Sequence, residues 1–464
     1  MSELQYDLVV KNGDVVLPGT VTTGSIGIAG GKIAAIVDGS VALSGTEEVD
    51  AGGSVVLPGI IDAHVHLRDP GLTHKEDFDT GTQAAALGGV TTIADMPNVN
   101  PATIGGRRFR EKAADVRAKA HVDYLLWAGA TQAQHVYEAA EAGAPGVKVF
   151  MIKGLKDESE GEWTGRLSPH SPELHLADDG ALLAIFEAAA EVKIPVAVHL
   201  GNQGIWASVR GGWAGMGFSE AEDVLRNETP LDKVEAAQRC VLLAEHTGAH
   251  LHIVHIPGAV LPTIRDARAR GVKVTAESFY PFMSFDLMRT VGPLGFNRYK
   301  SNEEIEALWS AVFAGDIDFI ATDHAPHTLA EKQQGHGDIL SCPSGYPELE
   351  TGLPMLLEQV RKGRLSLPTV AQIASAAPAK FLGVGHRKGK INLGYDADLT
   401  IVNTNERWTI SNEGLATKNS WTPFAGIEAT ARPHTTILRG NVIVRDGALA
   451  EVGQTPGELL TPTR

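Results

Sequence analysis

Short apolar runs separated by longer amphipathic stretches dominate the middle of the chain. The runs lie at 55–61, 90–94, 122–126, 147–151, 195–199, 250–255, 272–276 and 319–323. Between them apolar residues recur at helical spacing, most clearly after Ser301, which forms a capping-box pattern with Glu304. Strands that alternate with helices predict a parallel sheet. Eight such units predict an α/β fold of the (β/α)8 TIM barrel type, with its active site at the C-terminal ends of the strands.

The two ends of the chain show a different pattern, of short strands separated by Gly and Asn. The pairs Asn12-Gly13 and Gly30-Gly31 each stand between two apolar runs, which predicts a hairpin turn at both places. The same pattern returns at 397–402 and 435–444. We therefore expect a small β-sandwich domain formed by both termini: 1–57 as its first part, and 386–464 as its second part and C-terminal tail. Residues 58–385 would form the barrel between them.

Composition and charge restrict the class of protein. The chain has 464 residues, 43% hydrophobic and 21% charged, as in soluble globular proteins with a large core. A net charge of −16 argues against nucleic acid or an anionic membrane as a partner. The two cysteines, Cys240 and Cys342, cannot form a disulfide framework and suit a reducing compartment. The N-terminal residues do not have the pattern of a secretory signal, and no apolar run is long enough to span a bilayer. We expect a cytoplasmic protein.

Residues that can bind metal ions stand at the ends of several predicted strands. His64 and His66 end the first strand, and side chains two apart in a strand share a face. His199, His255 and Asp323 end the fifth, sixth and eighth strands. A barrel directs all these ends into one mouth, where imidazoles and a carboxylate suit zinc-type ions. Each residue alone has another explanation, since a strand-end His is often a hydrogen-bonded polar residue and an Asp can cap a helix.

Lys148 stands inside the fourth predicted strand, between Val147 and Val149. A protonated ammonium has no lone pair for a metal, and the side chain could instead extend to solvent. If its amine adds carbon dioxide, the product is a carbamate, a carboxylate on a long arm that can bridge two cations. Four His, one Asp and such a lysine would suffice for two divalent ions joined by an oxygen bridge.

Six segments together carry a family resemblance. They are Asp-Ala-His-Val-His-Leu-Arg-Asp-Pro-Gly at 62–71, Gly-Gly-Val-Thr-Thr at 88–92, Asp-Met-Pro-Asn at 95–98, Gly-Val-Lys-Val-Phe-Met at 146–151, Ala-Thr-Asp-His-Ala-Pro-His at 321–327, and 344–354. As a set they resemble the cyclic amidohydrolases, the dihydroorotase, allantoinase and hydantoinase group of the amidohydrolase superfamily. The resemblance covers nearly the whole chain, including the β-sandwich.

The resemblance implies a centre of two divalent ions, most readily Zn²⁺, with carboxylated Lys148 (N6-carboxylysine) as a bridge. The ligands it implies are His64, His66 and Asp323 for one ion, and His199 and His255 for the other. Two such ions lower the pKa of water between them, and one polarises an amide carbonyl. Asp323 is then the catalytic residue that carries the proton to the leaving nitrogen. The resemblance thus implies hydrolytic opening of a small cyclic amide, and it favours a homodimer or homotetramer.

Substrate contacts are predicted at Arg68 and Asn98, which occupy dihydroorotase-like positions for holding a substrate carboxylate. The alternative for Arg68 is a salt bridge to Asp69 or Glu76. Against dihydroorotase, the segment 278–300 departs from the group's pattern. Ile152 stands where many hydantoinases have a catalytic tyrosine, so the second ion would have to stabilise the oxyanion.

We therefore favour an allantoinase- or hydantoinase-like hydrolase of a ureide, hydantoin or imide ring, with dihydroorotase as the alternative. A non-catalytic scaffold of this fold would be expected to lack some ligands, and a mononuclear deaminase would not need Lys148. His252, His324 and His327 are interpreted as lying outside the metal set. The stretches 153–179, 201–230 and 327–348 are expected to be long loops that act as lids, pocket walls or an oligomer interface.

Overall fold

Eight parallel strands form a closed barrel in the computed structural model, which describes residues 5–152, 155–156, 163–164, 172–213, 216–218, 221–279, 291–295, 300–337, 339–451 and 457–463. The strands are Ile60–Val65, Val90–Asp95, Asp123–Leu126 with Ala128–Gly129, Val147–Phe150, Val196–His199, Leu251–Ile253, Val274–Phe279 and Phe319–Ala321. The barrel closes where Val65 pairs with His324 and the His66 N–H donates to the His324 carbonyl (2.7 Å). The predicted barrel is confirmed.

Helices follow the strands and cover the outside of the barrel. Those in the described ranges are Phe78–Leu87, Gly105–Val116, Ala133–Ala142, Pro172–Leu174, Asp179–Val192, Gln203–Gly211, Ala221–Asn227, Leu231–Thr247, Gly258–Val260, Leu261–Ala269, Gly292–Gly295, Asn302–Ala314, Leu329–Gln333, Ile339–Ser341, Gly352–Arg361, Leu367–Ala371, Gln372–Ala376 and Ala377–Phe381. Ser301 caps its helix as predicted, because its hydroxyl accepts from the Glu304 N–H (3.2 Å). In the part of the chain that the structure describes, no helix has both the length and the apolar character needed to cross a membrane.

Both ends of the chain meet in one nine-stranded sheet. Its strands are Tyr6–Leu17, Thr20–Ala29, Lys32–Asp38, Gly45–Asp50, Val55–Pro58, Leu399–Asn403, Arg432–Leu438, Asn441–Arg445 and Ala448–Leu449. The strand Val55–Pro58 lies between the two halves, parallel to Tyr6–Leu17 and antiparallel to Leu399–Asn403. Two short ribbons, Trp408–Thr409 with Glu428–Ala429 and Leu155–Lys156 with Trp163–Thr164, stand apart from this sheet. The division of the chain at 57/58 and 385/386 stays a prediction.

The hairpin predicted at Asn12-Gly13 was wrong. Residues on both sides of this pair belong to one continuous strand, Tyr6–Leu17, and the turn to the next strand comes at 18–19. The pairing register shifts between Val10 and Gly13, which marks a one-residue bulge, and Asn12 adopts a positive φ of 55°. Local turn preference thus produces a bulge here, because the partner strand continues alongside. The hairpin at Gly30-Gly31 is confirmed.

The prediction of a long loop over 201–230 was also wrong, since this stretch contains two of the helices named above. Trp213 and Phe218 are buried within the chain, with ring centroids 5.0 Å apart, and Trp206 is buried as well. These aromatic side chains therefore pack inside the chain, and a role of this stretch in an oligomer interface stays a prediction. Met216 is 57% exposed.

The other two predicted loops are covered only in part. The stretch 327–348 includes two of the helices named above, Leu329–Gln333 and the short Ile339–Ser341. Most of 153–179 lies outside the described residues, as do 280–290 and 296–299 within the segment 278–300. The roles expected for these stretches stay predictions.

Candidate active site

His64, His66 and Asp323 form the best-defined group of metal-ligand side chains among the described residues. One ligand atom from each lies within 4.8 Å of the others. Asp323 Oδ1 is 3.0 Å from His66 Nε2 and 3.5 Å from His64 Nε2. His64 lies in the first barrel strand and His66 directly follows its last residue, and the chain that leaves the eighth strand presents the aspartate. The barrel therefore brings together two nitrogen donors and one oxygen donor, a donor set that zinc accepts.

His199 and His255 form a second pair beside the first group. Their ring centroids are 4.6 Å apart, and the His255 ring centroid is 5.7 Å from that of His64. Lys148 is 1% exposed, and its charge acts on His64 because the two side chains lie close together. The structure thus brings all six predicted ligands to one end of the barrel.

The ionisation of these side chains suits metal binding. Burial, with a smaller contribution from the Lys148 charge, lowers the pKa of His64 to about 3. Burial also lowers the pKa of His66. Both imidazoles are therefore neutral at pH 7 and have a lone pair available for a metal, as ligation requires. Burial lowers the pKa of the Lys148 amine to about 8, so a sizeable fraction of this amine is neutral near physiological pH.

Glu277 is a buried carboxylate of the site that the sequence analysis did not identify as functional. One of its oxygens contacts Nδ1 of His64, and the other lies 3.2 Å from Nε2 of His252. The opposite nitrogen of His252 is 2.9 Å from the hydroxyl of Thr275. Glu277 therefore fixes the ring of His64 with Nε2 directed at Asp323, as carboxylates do for metal-binding histidines. In the sequence Glu277 stands two residues after Thr275 at the end of one predicted strand, so the two side chains share a face. This pattern could have identified Glu277 as a residue of the site.

Residues at the end of the second barrel strand form hydrogen bonds with the residues that follow the first strand. Asn98 Oδ1 lies 2.7 Å from Nδ1 of His66, and Asp95 Oδ1 accepts from the Leu67 N–H (2.7 Å). Asp95 also forms a buried ion pair with Lys112. Asn98 thus orients a candidate ligand, whereas the prediction for it was contact with substrate. That contact stays a prediction.

Arg68 follows His66 and is almost fully buried, at 1% exposure. Its Nε donates to the Pro326 carbonyl (3.2 Å), and its Nη1 has no hydrogen-bond partner among the described residues. The salt bridges considered for Arg68 do not form within that part of the chain: Asp69 pairs with Lys119 (2.7 Å) and Glu76 accepts other hydrogen bonds. Arg68 therefore presents an N–H group that a ligand can use.

The two histidines after Asp323 have different surroundings. His324 Nδ1 accepts from the backbone N–H groups of Glu348 (3.0 Å) and Leu349 (3.3 Å), which commits this nitrogen to the fold. His327 Nδ1 is 3.2 Å from the Lys75 ammonium, while its buried Nε2 has no hydrogen-bond partner in the described part of the chain. Burial lowers the pKa of His327 to about 3, so its ring is neutral, and its Nδ1 faces both the Lys75 ammonium and Glu331 Oε2 (3.7 Å). Neither residue belongs to the group formed by His64, His66 and Asp323, and their exclusion from the metal set stays a prediction.

Backbone strain is present at three of the site residues. Arg68, His255 and Asp323 adopt positive φ angles of 61°, 38° and 48°. This region is unfavourable for side chains other than glycine, and such residues persist where the surrounding structure holds them and often serve function. The strain lies at the points where the chain leaves the first, sixth and eighth strands, next to the candidate metal ligands.

Comparison with known proteins agrees with this geometry. The amidohydrolase family matches residues 55–443. An allantoinase of Rubrobacter xylanophilus is 33% identical over 476 aligned positions, which cover 99% of this chain and 98% of that protein. A dihydroorotase of Geobacter metallireducens is 32% identical, with 95% of this chain and 100% of that protein covered. The solved structure of an L-hydantoinase from Arthrobacter aurescens gives a TM-score of 0.89 at 29% identity, covering 98% and 100% of the two chains. The chain therefore belongs to the amidohydrolase family and is a hydrolase of the cyclic amide group that includes allantoinases, hydantoinases and dihydroorotases.

Proposed function

We propose that this protein is a binuclear metal-dependent hydrolase that opens a ureide or hydantoin ring, in the manner of an allantoinase or hydantoinase. One ion would be held by His64, His66 and Asp323, and the other by His199 and His255. Carboxylated Lys148 would bridge the two ions. When bound, two divalent cations lower the pKa of water and polarise an amide carbonyl.

The surroundings of the Lys148 amine support this proposal most directly. Its amine is buried and has no hydrogen-bond partner in the described residues, although buried polar groups are ordinarily satisfied. The ring centroid of Phe150 lies 5.5 Å from Nζ. A carbamate on Nζ would replace an unsatisfied ammonium with a carboxylate among neutral imidazoles. The donor set then fits two divalent ions, most readily Zn²⁺.

The exposure of Asp323 supports its proposed role in moving a proton. Its carboxylate is 17% exposed, whereas the side chains of His64 and Glu277 are 1% and 3% exposed. It therefore reaches from the candidate ligands toward the opening of the barrel. In the proposed reaction Asp323 takes a proton from the attacking water as the water oxygen adds to the ring carbonyl, and gives that proton to the leaving ring nitrogen as the C–N bond breaks. The carbonyl carbon ends as a carboxylic acid, and the nitrogen ends as the NH2 of a carbamoyl group.

Ile152 supports the view that no tyrosine hydroxyl assists from this position. The residue is 2% exposed, and a Cβ built on Gly201 would lie 2.1 Å from its Cδ1. Ile152 thus packs tightly against the chain that follows His199. Stabilisation of the oxyanion would fall to the second cation in this proposal.

A second candidate function, dihydroorotase, is favoured by a buried donor on Arg68. Arg68 Nη1 is buried and has no hydrogen-bond partner in the described ranges, and the buried Nε2 of His327, on whose ring the Arg68 charge acts, has none there either. The Arg68 N–H suits a carboxylate on the substrate, because hydrogen bonds to charged acceptors are strong. Allantoin and unsubstituted hydantoin offer carbonyl oxygens to the same donor.

Ring-opening assays on the zinc-loaded protein test the proposal. The substrates are allantoin, hydantoin, dihydrouracil, succinimide and dihydroorotate, with Lys148→Ala as the inactive control and metal content measured for both proteins. We expect two zinc ions per chain, opening of allantoin or hydantoin, and loss of both metal and activity in Lys148→Ala.

Each other outcome has a definite meaning. Preferential opening of dihydroorotate would replace the first candidate with the second. Two bound ions without opening of any of the five rings would contradict both candidates. Activity that survives in Lys148→Ala would exclude the bridging role. Light scattering on the same sample tests the predicted homodimer or homotetramer.

A further inference from the structure

Residues 416–421, here called the C-terminal strap, contact the loop that follows the first barrel strand. The Thr417 hydroxyl donates to Glu76 Oε2 (2.5 Å), and the Lys418 N–H donates to Glu76 Oε1 (3.2 Å). The Asn419 amide donates to the Lys75 carbonyl (2.6 Å). A segment from the C-terminal part of the chain is thus bound to a loop of the barrel mouth.

The same strap contacts the segment that follows the last barrel strand. The Trp421 indole N–H donates to the His327 carbonyl (2.8 Å). The backbone N–H groups of Ala416 and Thr417 donate to the two oxygens of Glu350, both at 3.1 Å. The strap therefore connects the two loops on either side of the seam at which the barrel closes.

These contacts are buried and lead toward the candidate metal ligands. Trp421, Thr417 and Glu76 are 1%, 2% and 0% exposed. Glu76 Oε2 lies 3.5 Å from Nε2 of His324, whose carbonyl accepts the hydrogen bond from the His66 N–H (2.7 Å). Hydrogen bonds that water cannot replace hold their partners firmly, because a lost partner leaves a buried polar atom unsatisfied.

Both loops begin at a strained residue next to a metal ligand or at the ligand itself. Arg68, two residues after His66, has a φ of 61°, and Asp323 has a φ of 48°. Strained conformations of this kind persist only when the surrounding structure over-determines them. The loop beyond each strained residue is held by the strap, through Glu76 and the Lys75 carbonyl on one side and the His327 carbonyl on the other.

We propose that Thr417 and Trp421 are positioning residues: through the strap they hold the loops after the first and last barrel strands in the relative placement that His66 and Asp323 need to share a metal ion. This inference rests on the proposed function, since it assumes a metal ion at these residues. The strap touches neither substrate nor metal in this account and acts only through the two loops.

The test compares Trp421→Phe with Trp408→Phe in the zinc-loaded full-length protein. Trp408 is half-buried and serves as the control for the indole hydrogen bond itself, because its N–H also donates to a backbone carbonyl, that of Ala431 (3.0 Å), within the C-terminal part of the chain. The readouts are the rate of zinc transfer to a chromogenic chelator, the midpoint of thermal unfolding, and kcat and KM on any ring that the wild type opens. We expect zinc transfer about fivefold faster in Trp421→Phe, the ratio that corresponds to one lost hydrogen bond.

A second pair of variants keeps the proposal testable if Trp421→Phe does not fold. Thr417→Val removes the hydroxyl that binds Glu76 and keeps the shape of the side chain, and Thr417→Ser restores the hydroxyl. We expect faster zinc transfer and a lower kcat in Thr417→Val, and wild-type behaviour in Thr417→Ser.

The opposite results overturn the inference without touching the proposed function. If Trp421→Phe and Trp408→Phe lose zinc at the wild-type rate and differ only in thermal midpoint, the strap has a structural role alone. The same holds if Thr417→Val and Thr417→Ser release zinc equally fast. A wild-type protein that binds no zinc would instead refute the proposed function itself.

Discussion

Asn98 Oδ1 lies 2.7 Å from Nδ1 of His66, so the amide of one loop fixes the ring of a candidate ligand on another. The position was predicted to contact substrate. The hydrogen bond gives it a role that does not depend on substrate: it keeps the Nε2 lone pair of His66 directed at the site, 3.0 Å from Asp323 Oδ1. The two roles can be separated experimentally.

Removing the acceptor at Asn98 should weaken metal binding. In Asn98→Leu we expect zinc affinity to fall about 10- to 100-fold, as is usual for the loss of a partner that orients a ligating histidine. Asn98→Asp keeps an acceptor oxygen and should bind zinc as the wild type does. Competition with a chelator of known affinity measures both. Unchanged zinc affinity in Asn98→Leu with a raised KM would show that substrate contact is the only role.

Glu277 should be required for metal retention, because it is the acceptor for both His64 and His252. Glu277→Gln leaves only one acceptor oxygen for the two rings, and we expect about 10- to 100-fold weaker zinc binding. Glu358→Gln is the matched control: Glu358 is also a buried carboxylate, 2.7 Å from the Thr430 N–H and remote from the candidate ligands in its contacts. The control should lose stability and retain zinc. Equal zinc binding in the two variants would refute the role of Glu277.

Lys148 should react with carbon dioxide at lower pH than an ordinary lysine. Only the neutral amine can form the N–C bond, and it loses a proton as the carbamate forms. Burial lowers the pKa of Lys148 to about 8, compared with about 10.4 for an unperturbed lysine. In metal-free protein at a fixed concentration of carbon dioxide, the initial rate of carbamate formation should therefore rise with pH and level off above about 8.

Carbon-13 NMR with labelled carbon dioxide measures this rate, and Lys148→Arg provides the background because it lacks the amine. A rate that continues to rise toward pH 10 would mean that burial does not lower the pKa. A signal no larger than that of Lys148→Arg at every pH would mean that the carbamate does not form on this residue.

Lys388 should be essential to stability rather than catalysis. Its buried ammonium lies 2.6 Å from both Asp123 and Asp398, so it connects the third barrel strand to the terminal sheet. Burial lowers the pKa of Lys388, but the two carboxylates outweigh this effect and raise it above the usual value. Lys388→Met leaves the buried Asp398 carboxylate without its cation, while Asp123 keeps its ion pair with Arg439, and we expect the free energy of unfolding to fall by about 3–5 kcal/mol.

Urea titration measures that loss. Lys32→Met is the control, because the Lys32 side chain is 44% exposed where it pairs with Asp396, and it should cost less than about 1 kcal/mol. Similar losses in both variants would show that burial of the Lys388 cluster adds nothing. A large loss of kcat in folded Lys388→Met at 25 °C would contradict the purely structural role.

The barrel and the group of candidate ligands could be predicted from the amino-acid sequence. Eight apolar runs of strand length alternating with amphipathic helices allow few other arrangements, and a barrel brings every strand end to one mouth. His64, His66, Lys148, His199, His255 and Asp323 could therefore be placed together without any knowledge of their distances. Their capacity to bind metal depends on residue type and on position at a strand end, and both can be read from the amino-acid sequence.

The contacts that orient these residues could not be predicted from the sequence, because they depend on how distant segments pack. The contacts of Asn98 with His66, Glu277 with His64, and Thr417 with Glu76 join segments 32, 213 and 341 residues apart, and no local pattern records them. The turn expected at Asn12-Gly13 became a bulge for the same reason, since pairing with a neighbouring strand outweighed a local preference. Side-chain hydrogen bonds depend on distances of a few tenths of an ångström, and such distances are set by the packing of the whole chain.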